Sequence, residues 1–250
     1  MIAGGAEVVR PGVKMRSSGR KNSNLREIKI TKDFISNQPA ALLYEQGRTR
    51  IICSATYTEK VPLFAKEKKR GWVSAEYSML PYSTGRQRFF RERSRTDNRN
   101  IEIQRFIGRA LRSAIDLKKT DGFNITVDAD VIEADGGTRC ASVNGGMIAL
   151  IMLLKHLVFE NKLYDLPDFR MLAAVSVGIR GEDIITDLDY EEDSEIDADI
   201  NIVSSEIGEI IEVQGVAEEG SVPYDLFRSA IEKGVEKNFE IIKKIKDSLK

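Results

Sequence analysis

The sequence feature that most constrains the fold is a long apolar stretch, Thr138–Phe159, that directly follows two glycines. Residues 123–134, ahead of the glycines, have the β-branched residues of a strand. Gly136-Gly137 breaks that strand, and the apolar stretch after it is typical of a helix. A helix with so little polar surface should be deeply buried. The sequence therefore predicts a strand, a glycine turn and a core helix in immediate succession.

The remaining elements are predicted from apolar periodicity. Helical spacing marks residues 101–117 and 224–249, and the apolar stripe of the second comprises Phe227, Ile231, Val235, Phe239 and Ile242. The predicted strands are two within residues 40–58 and one each at 73–80, 172–179, 183–188, 199–205 and 209–216. This order predicts an α+β (mixed α/β) fold in a single domain. Residues 16–250 form that domain and residues 1–15 a flexible extension, with 1–26 mobile or draped over the surface.

Composition excludes several classes of function. The 250 residues carry a net charge of -1, so bulk charge indicates no partner. Two cysteines, Cys53 and Cys140, in apolar or small-residue contexts argue against a disulfide scaffold. The single histidine, His156, leaves a histidine triad or zinc site poorly supported. The longest apolar run, residues 147–154, is far short of the ~20 residues that span a bilayer. We expect a soluble, cytoplasmic protein without a membrane segment.

The turn ADGGTR, residues 134–139, places two glycines and a helix start together. Free N–H groups and the positive end of the helix dipole favour an anion there. Thr138 can cap the helix or donate to a phosphate, and Arg139 can hold a phosphate through two parallel hydrogen bonds. Gly137 allows close backbone approach. The alternative is an ordinary turn with a helix cap.

A loop before the first predicted helix is rich in arginine: Arg86, Arg88, Arg91, Arg93, Arg95 and Arg99. Arg105, Arg109 and Arg112 continue this charge as a stripe on the helix. Cations spaced along a track suit a nucleic-acid backbone, and the neighbouring Phe89 and Phe90 suit base stacking. A solvated charged face is the alternative.

The third feature is an acidic run, LDYEEDSEIDADINI, residues 188–202, that leads into a predicted strand. Crowded carboxylates raise one another's pKa, so a folded chain needs a reason to bring them together. Carboxylates suit a hard cation such as Mg²⁺. Asp197 and Asp199 are two apart, so on a strand they would face the same side. A solvated acidic turn is the alternative. Together the three features are the parts of an enzyme of phosphoryl transfer on nucleic acid.

Five motifs closely resemble ribonuclease PH: RGWVSAEYSMLPYST (70–84), NRNIEIQRFIGRALR (98–112), DADVIEADGGTR (128–139), SVGI (176–179) and DLDYEEDSEIDADIN (187–201) continuing to EVQGVAE (212–218). The resemblance extends from Met15 to the last helix. It implies the fold of ribosomal protein S5 domain 2 and a ring-shaped homohexamer, a trimer of dimers. It also implies a phosphorolytic 3′→5′ exoribonuclease that uses inorganic phosphate and Mg²⁺ to trim tRNA precursor 3′ ends, releasing nucleoside diphosphates.

The resemblance also assigns roles to residues. Arg99, Thr138 and Arg139 match the phosphate-binding positions, with Gly137 beside them. Asp193 and Asp199 match the two carboxylates that metal-assisted catalysis requires. The other carboxylates of the run are expected to be solvated. The RNA-binding arginines that it implies are Arg86, Arg88, Arg91, Arg93, Arg95, Arg105 and Arg109.

The sequence departs from the family pattern at several positions. The usual Arg-Pro-Asp-Gly-Arg start is replaced by RSSGR at residues 16–20, and Asn98 and Asn100 replace the Gly and Thr around the phosphate arginine. Val216 replaces a Thr in the Gly-Thr-Ala-Glu motif, which removes a hydroxyl. Two other functions stay open: a noncatalytic RNA-binding ring subunit of an exosome-like complex, and a hydrolytic nuclease that uses metal-bound water.

Overall fold

The computed structural model describes Arg16 and residues 18–85, 98–218 and 220–250. Its strands form two sheets. The first has the order β1-β2-β3-β5-β4, in which β4 and β5 are parallel and the other pairs antiparallel. These strands are Ile28–Lys32 (β1), Ala41–Gln46 (β2), Thr49–Thr58 (β3), Trp72–Met79 (β4) and Asn124–Glu133 (β5).

The second sheet is antiparallel with the order β7-β6-β8-β9. Its strands are Leu172–Arg180 (β6), Asp183–Thr186 (β7), Ala198–Ser205 (β8) and Ile210–Ala217 (β9). The helices are Leu63–Lys66 (α1), Asn98–Ala114 (α2), Thr138–Phe159 (α3), Tyr190–Asp193 (α4) and Tyr224–Ser248 (α5), with a 3₁₀ turn at Leu117–Thr120. The predicted mixed α/β class is confirmed.

Helix α3 lies at the centre of the core. It packs against β2, β3 and β5 of the first sheet and β6 of the second, while α5 covers the other face of β6. Strand β6 is consequently buried over all but its last residue. By length and composition α3 is apolar enough to cross a membrane, but 72% of its most apolar window is buried inside the protein. The predicted core helix is therefore confirmed, with the bounds expected from the sequence.

The buried face of α5 differs from the predicted stripe. Ala230, Gly234, Lys237, Asn238, Ile241, Ile242 and Ile245 are its buried residues. Phe239, expected in the core, is 42% exposed. The Asn238 side chain is instead turned inward, because it donates to Ile202 O at 3.1 Å and Ser204 Oγ at 2.9 Å. The prediction was wrong for Phe239 because buried polar contacts, as well as apolar periodicity, orient this helix.

Candidate active site

The glycine turn between β5 and α3 has the geometry that an anion site requires. Gly136 and Gly137 both have left-handed backbone angles, with φ of 77° and 64°. Gly137 occupies the position before α3, where no side chain caps the helix. The N–H groups of the first turn are therefore available to a ligand, at the positive end of a long helix.

This turn is in direct backbone contact with the acidic segment. A Cβ added at Gly136 would lie 2.6 Å from the carbonyl carbon of Asp189 and 2.7 Å from the carbonyl oxygen of Leu188. Real Cβ atoms do not approach backbone this closely, so only glycine allows the two segments to meet. The contact explains why two segments that are distant in the sequence contribute to one site.

Thr138 and Arg139 are both held by neighbours. Tyr77 donates its hydroxyl to Thr138 Oγ1 at 3.0 Å, which leaves the Thr138 proton available for another acceptor. Arg139 Nη1 donates to Gln214 Oε1 at 2.9 Å and to Glu102 Oε1 at 3.3 Å. These two hydrogen bonds, both from Nη1, restrict the rotation of the guanidinium and so preorganise it for an anion.

The predicted phosphate and carboxylate residues line a single cleft of about 1190 Å³. Its lining includes Arg99, Gly137, Thr138, Arg139, Asp193 and Asp199. Arg99 comes from the first turn of α2, Asp193 from the last residue of α4, and Asp199 from β8. The glycine turn, the 81–85 loop, Arg48 and Ser176 also line it, so the cleft is built from several segments that are distant in the sequence.

The carboxyl group of Asp199 has an unusually high pKa for an aspartate. Burial, together with the negative charge of Asp193, raises its pKa from 3.8 to about 6, against the effect of a hydrogen bond from Asn201 and the charge of Arg139. Asn201 Nδ2 donates to Asp199 Oδ2 at 2.8 Å. The other oxygen, Asp199 Oδ1, is buried and has no hydrogen-bond partner among the described residues. Asp193 is exposed at the cleft surface, and partial desolvation of its carboxylate within the cleft raises its pKa, although Arg99 opposes the shift.

These two carboxylates fit a hard divalent cation. An unpartnered buried carboxylate oxygen is unfavourable unless a cation or proton satisfies it. Among the described residues, no group of three or more His, Cys, Asp and Glu side chains forms a complete metal cage. Magnesium is often bound by one or two carboxylates with water and substrate oxygens completing the shell, so a pair suffices.

The rest of the acidic run is divided, because Glu191, Glu195 and Asp197 are exposed as expected, whereas Asp189 and Glu192 are buried. Glu192 is only 5% exposed and Asp189 8%. They form a capping box on α4, in which each side chain accepts from the other's backbone N–H at 3.0 Å. Arg16 and Arg20 form ion pairs with Glu192 at 2.5 and 3.4 Å. The prediction failed for Glu192 because the arginines that pair with it, Arg16 and Arg20, are far from it in the sequence.

Most described residues between 18 and 25 are exposed, as expected, but two arginines on either side of this stretch are buried. Arg16 is 4% exposed and Arg26 6%. Arg26 Nη2 forms an ion pair with Asp187 Oδ1 at 2.7 Å, and its Nη1 donates to Asp135 O at 2.5 Å. Arg26 thus joins the acidic segment to the glycine turn. Sequence patterning gave no signal for this role, because the contact joins positions 161 residues apart.

Asp197 does not share the cleft with Asp199. Strand β8 begins at Ala198, so Asp197 lies ahead of the strand rather than on it. Its Oδ2 accepts from the Gly181 N–H at 2.6 Å. The prediction that the two carboxylates face the same side was therefore wrong, and Asp197 serves a turn contact instead.

The arginines of the predicted basic loop and of the stripe on the helix have different surroundings. Arg86, Arg88, Arg91, Arg93 and Arg95 lie outside the described residues. Arg105 is exposed on α2, whereas Arg109 forms an ion pair with Glu212, with Nε–Oε2 at 3.0 Å. Arg112 donates to Val73 O at 2.8 Å and stacks 4.5 Å from the Trp72 ring centroid. The stripe on α2 is thus partly committed to contacts within the fold.

Two further isolated predictions have clear outcomes. Cys53 and Cys140 are both free and buried. Burial raises the thiol pKa of each, so neither is a reactive thiolate. Cys140 Sγ instead donates to Asn201 Oδ1 at 3.1 Å. His156 lies near the surface at the end of α3, where Nε2 is 3.0 Å from Glu160 Oε1, as the non-catalytic interpretation predicted.

Three solved structures illustrate the fold that this chain shares with known proteins. A chain of the Archaeoglobus fulgidus exosome with RNA bound to the active site is 21% identical, with a TM-score of 0.78 and 92% of both chains covered. A chain of an archaeal exosome core is 20% identical, with a TM-score of 0.73 and coverage of 92% and 91%. Rice (Oryza sativa) Rrp46 is 15% identical, with a TM-score of 0.73 and coverage of 94% and 100%. At these identities the likeness establishes the fold.

Family models match most of the chain. The model described as 3′ exoribonuclease family, domain 1, matches residues 24–154, and that of domain 2 matches residues 170–237. All six residues assigned to phosphate and metal, from Arg99 to Asp199, lie within these two ranges. The resemblance to ribonuclease PH is thus confirmed, and the chain belongs to the 3′ exoribonuclease family.

Proposed function

We propose that this protein is a phosphorolytic 3′→5′ exoribonuclease that uses inorganic phosphate to remove terminal nucleotides from RNA. The observation that carries the proposal is the convergence on one cleft of an uncapped helix start, two arginines and a pair of carboxylates with raised pKa. Such a cleft provides for an anion and for a cation side by side. A hydrolytic nuclease needs anion-binding groups only for the scissile phosphodiester, whereas phosphorolysis also needs them for free phosphate.

The reaction needs no side-chain nucleophile. An oxygen of inorganic phosphate attacks the phosphorus of the last phosphodiester, and the bond from that phosphorus to the 3′ oxygen of the preceding nucleotide breaks. The terminal nucleotide leaves as a nucleoside diphosphate, and the shortened RNA takes up a proton on its new 3′ hydroxyl. This agrees with a cleft that contains neither the histidine nor a cysteine.

The chain's own residues bind and orient the phosphate. The α3 N–H groups and the Thr138 hydroxyl donate hydrogen bonds to it, while Arg139 and Arg99 supply positive charge. Because Gln214 and Glu102 already hold Arg139, little reorganisation is needed when charge develops on the attacked phosphorus. Asp193 and Asp199 would hold Mg²⁺, which when bound stabilises negative charge on the attacked phosphate and the leaving oxygen.

Substrate and assembly are further parts of the proposal. The Archaeoglobus fulgidus structure contains RNA at its active site and belongs to an exosome, which supports RNA as the substrate. We infer a homohexameric ring, a trimer of dimers, that trims tRNA precursor 3′ ends in the cytoplasm. The exposed Arg105 and the arginines of the 86–95 loop would bind the RNA backbone.

The identity of the released nucleotide tests the reaction. The purified chain is incubated with Mg²⁺ and a 3′-tailed RNA, with and without inorganic phosphate, and the products are separated. Nucleoside diphosphates formed only with phosphate would support phosphorolysis. Nucleoside monophosphates without phosphate would indicate a hydrolytic nuclease, and bound but uncleaved RNA would indicate a noncatalytic ring subunit.

A further inference from the structure

Asp193 lies on an element that is too short to hold itself in place. Helix α4 has four residues, Tyr190–Asp193. Isolated helices shorter than about 12 residues are marginal in water, so α4 depends on contacts from elsewhere. Its capping box ties Asp189 to Glu192 but anchors neither to the rest of the protein.

The main anchor is Arg16, beside a longer ion pair from Arg20 to Glu192 at 3.4 Å. Arg16 Nε donates to Glu192 Oε1 at 2.5 Å and its Nη2 to Glu192 Oε2 at 2.7 Å, a two-point contact with one carboxylate. The side chain of Arg16 is 0% exposed and that of Glu192 5%. A bidentate, buried pair fixes both the position and the orientation of the carboxylate.

Arg16 is itself held by the main chain on both sides. Nη1 donates to Thr186 O at 3.0 Å and Nη2 donates to Asp187 O at 3.0 Å, at the end of β7. Nη1 also reaches Lys21 O at 3.2 Å. The guanidinium thus joins β7, the N-terminal segment and α4 in one rigid unit, and Glu192 is directly followed by Asp193.

We propose that Arg16 is a positioning residue for the catalytic carboxylate Asp193, which it controls by fixing α4 through Glu192. The inference rests on the proposed function of Asp193 and Asp199, but Arg16 lies ahead of residue 24, where the family match begins. The N-terminal segment is therefore part of the catalytic unit. Outer contacts of this kind typically change metal affinity or activity by about 10–100-fold when removed.

Arg16→Met is the direct test, with metal affinity measured by Mn²⁺ electron paramagnetic resonance and by Mg²⁺ competition. We expect Mn²⁺ binding and kcat to weaken by about 10–100-fold. The KM for phosphate should change by less than about threefold, because Arg99, Thr138 and Arg139 keep their positions. Arg16→Lys keeps the charge without the two-point contact and should fall between the variant and the wild type.

A double variant separates positioning from folding. Arg16→Met leaves a buried carboxylate without its main partner and lowers stability. Adding Glu192→Gln removes that charge and keeps an acceptor for the Asp189 N–H, so the melting temperature should recover. Positioning predicts that Mn²⁺ affinity stays weak in the double variant. Recovery of both stability and affinity would overturn the proposal, since Arg16 would then only stabilise the fold.

Arg228→Met serves as the matched control. Arg228 lies on α5 and forms exposed ion pairs with Asp225 at 3.6 Å and Glu232 at 3.5 Å. The Arg228→Met variant should leave metal binding and kcat unchanged.

If Arg16→Met bound Mn²⁺ as tightly as the wild type does, the positioning role alone would be overturned. A wild-type chain that binds no Mn²⁺ and releases no nucleotide would overturn the proposed function and the positioning role together.

Discussion

Asn201 donates a hydrogen bond to Asp199 at 2.8 Å and thereby satisfies only one of the two carboxylate oxygens. The orientation of the Asn201 amide is fixed, because its Oδ1 accepts from the Cys140 thiol at 3.1 Å. The other oxygen of Asp199 is buried, and no group in the described part of the chain forms a hydrogen bond with it. Without a cation, an ionised Asp199 is therefore a destabilising group, which fits its proposed role as a metal ligand.

Asp199→Asn should consequently improve stability while abolishing activity. The folded pKa of Asp199 is raised from 3.8 to about 6, and two pKa units correspond to about 3 kcal/mol. In metal-free protein at pH 8 we expect the variant to be about 1–3 kcal/mol more stable than the wild type. Thermal unfolding in EDTA measures this, and phosphate-dependent RNA shortening should be undetectable.

The stability difference between the wild type and Asp199→Asn should depend on pH, with a definite sign. Because the folded pKa of Asp199 lies above its ordinary value, the folded state holds this proton more tightly than the unfolded state does. The stabilising contribution is full below pH of about 4 and is lost as the pH rises through about 6. The stability difference between wild type and Asp199→Asn should therefore shrink on acidification. A difference that is independent of pH would contradict the assignment, and saturating Mg²⁺ should stabilise only the wild type.

Gly136→Ala should disrupt both halves of the site at once. A left-handed backbone angle costs a non-glycine residue about 1–2 kcal/mol, and here the methyl group would also overlap the backbone of Asp189. We expect destabilisation of about 2–4 kcal/mol and a large loss of kcat, because the turn and α4 must separate. Denaturant unfolding and initial rates measure the two effects.

Gly122→Ala is the matched control for this change. Gly122 has φ of 88° and no atom within 4 Å of an added Cβ. It should show the backbone cost alone, with kcat unchanged. Equal loss of kcat in the two variants would mean that the contact between the turn and the acidic segment is irrelevant to the reaction.

Arg139→Lys should act mainly on phosphate. A lysine retains the charge but cannot contact Gln214 and phosphate through a rigid planar fork. We expect kcat/KM for phosphate to fall by about 10–100-fold, which is about 1.4–2.8 kcal/mol of transition-state stabilisation. Binding of RNA without phosphate, measured by fluorescence anisotropy, should be nearly unchanged. An equal loss in RNA affinity would place Arg139 in the RNA site instead.

Arg105 and Arg109 should contribute unequally to RNA binding. Arg105 is exposed, whereas Arg109 is paired with Glu212. Arg105→Ala should reduce the salt dependence of RNA affinity by about 0.7, the slope for one phosphate contact on a single strand. Arg109→Ala should change that slope less, because its charge is already balanced. Anisotropy titrations over a range of salt concentrations would reverse this ranking if Arg109 were the RNA contact.

Local sequence patterns predicted much of this fold, whereas contacts between distant segments could not be predicted from them. Helix α3 was predictable because its apolar run, its glycine break and its bounds are all written within one segment. Strand β1 was missed, and it is an edge strand whose pairing with β2 defines it. Periodicity likewise placed Phe239 inside, although polar contacts of Asn238 turn α5 the other way.

The candidate site divides in the same manner. Thr138, Arg139, Asp193 and Asp199 were accessible from motifs, because each lies in a short pattern with a resemblance to a known family. Arg16 and Arg26 were not, since their partners lie 176 and 161 residues away. From the sequence, the acidic run resembled a solvated turn or a metal site. The arginines that balance its charge lie far from it in the sequence, so the local pattern did not include them.

The most direct test of phosphorolysis follows the phosphate atom itself. Inorganic phosphate labelled with ³²P is supplied with Mg²⁺ and an unlabelled 3′-tailed RNA, and the released nucleotides are analysed for the position of the label. The account predicts nucleoside diphosphates with the label in the terminal phosphate, one for each nucleotide removed. Unlabelled nucleoside monophosphates released at the same rate would contradict it.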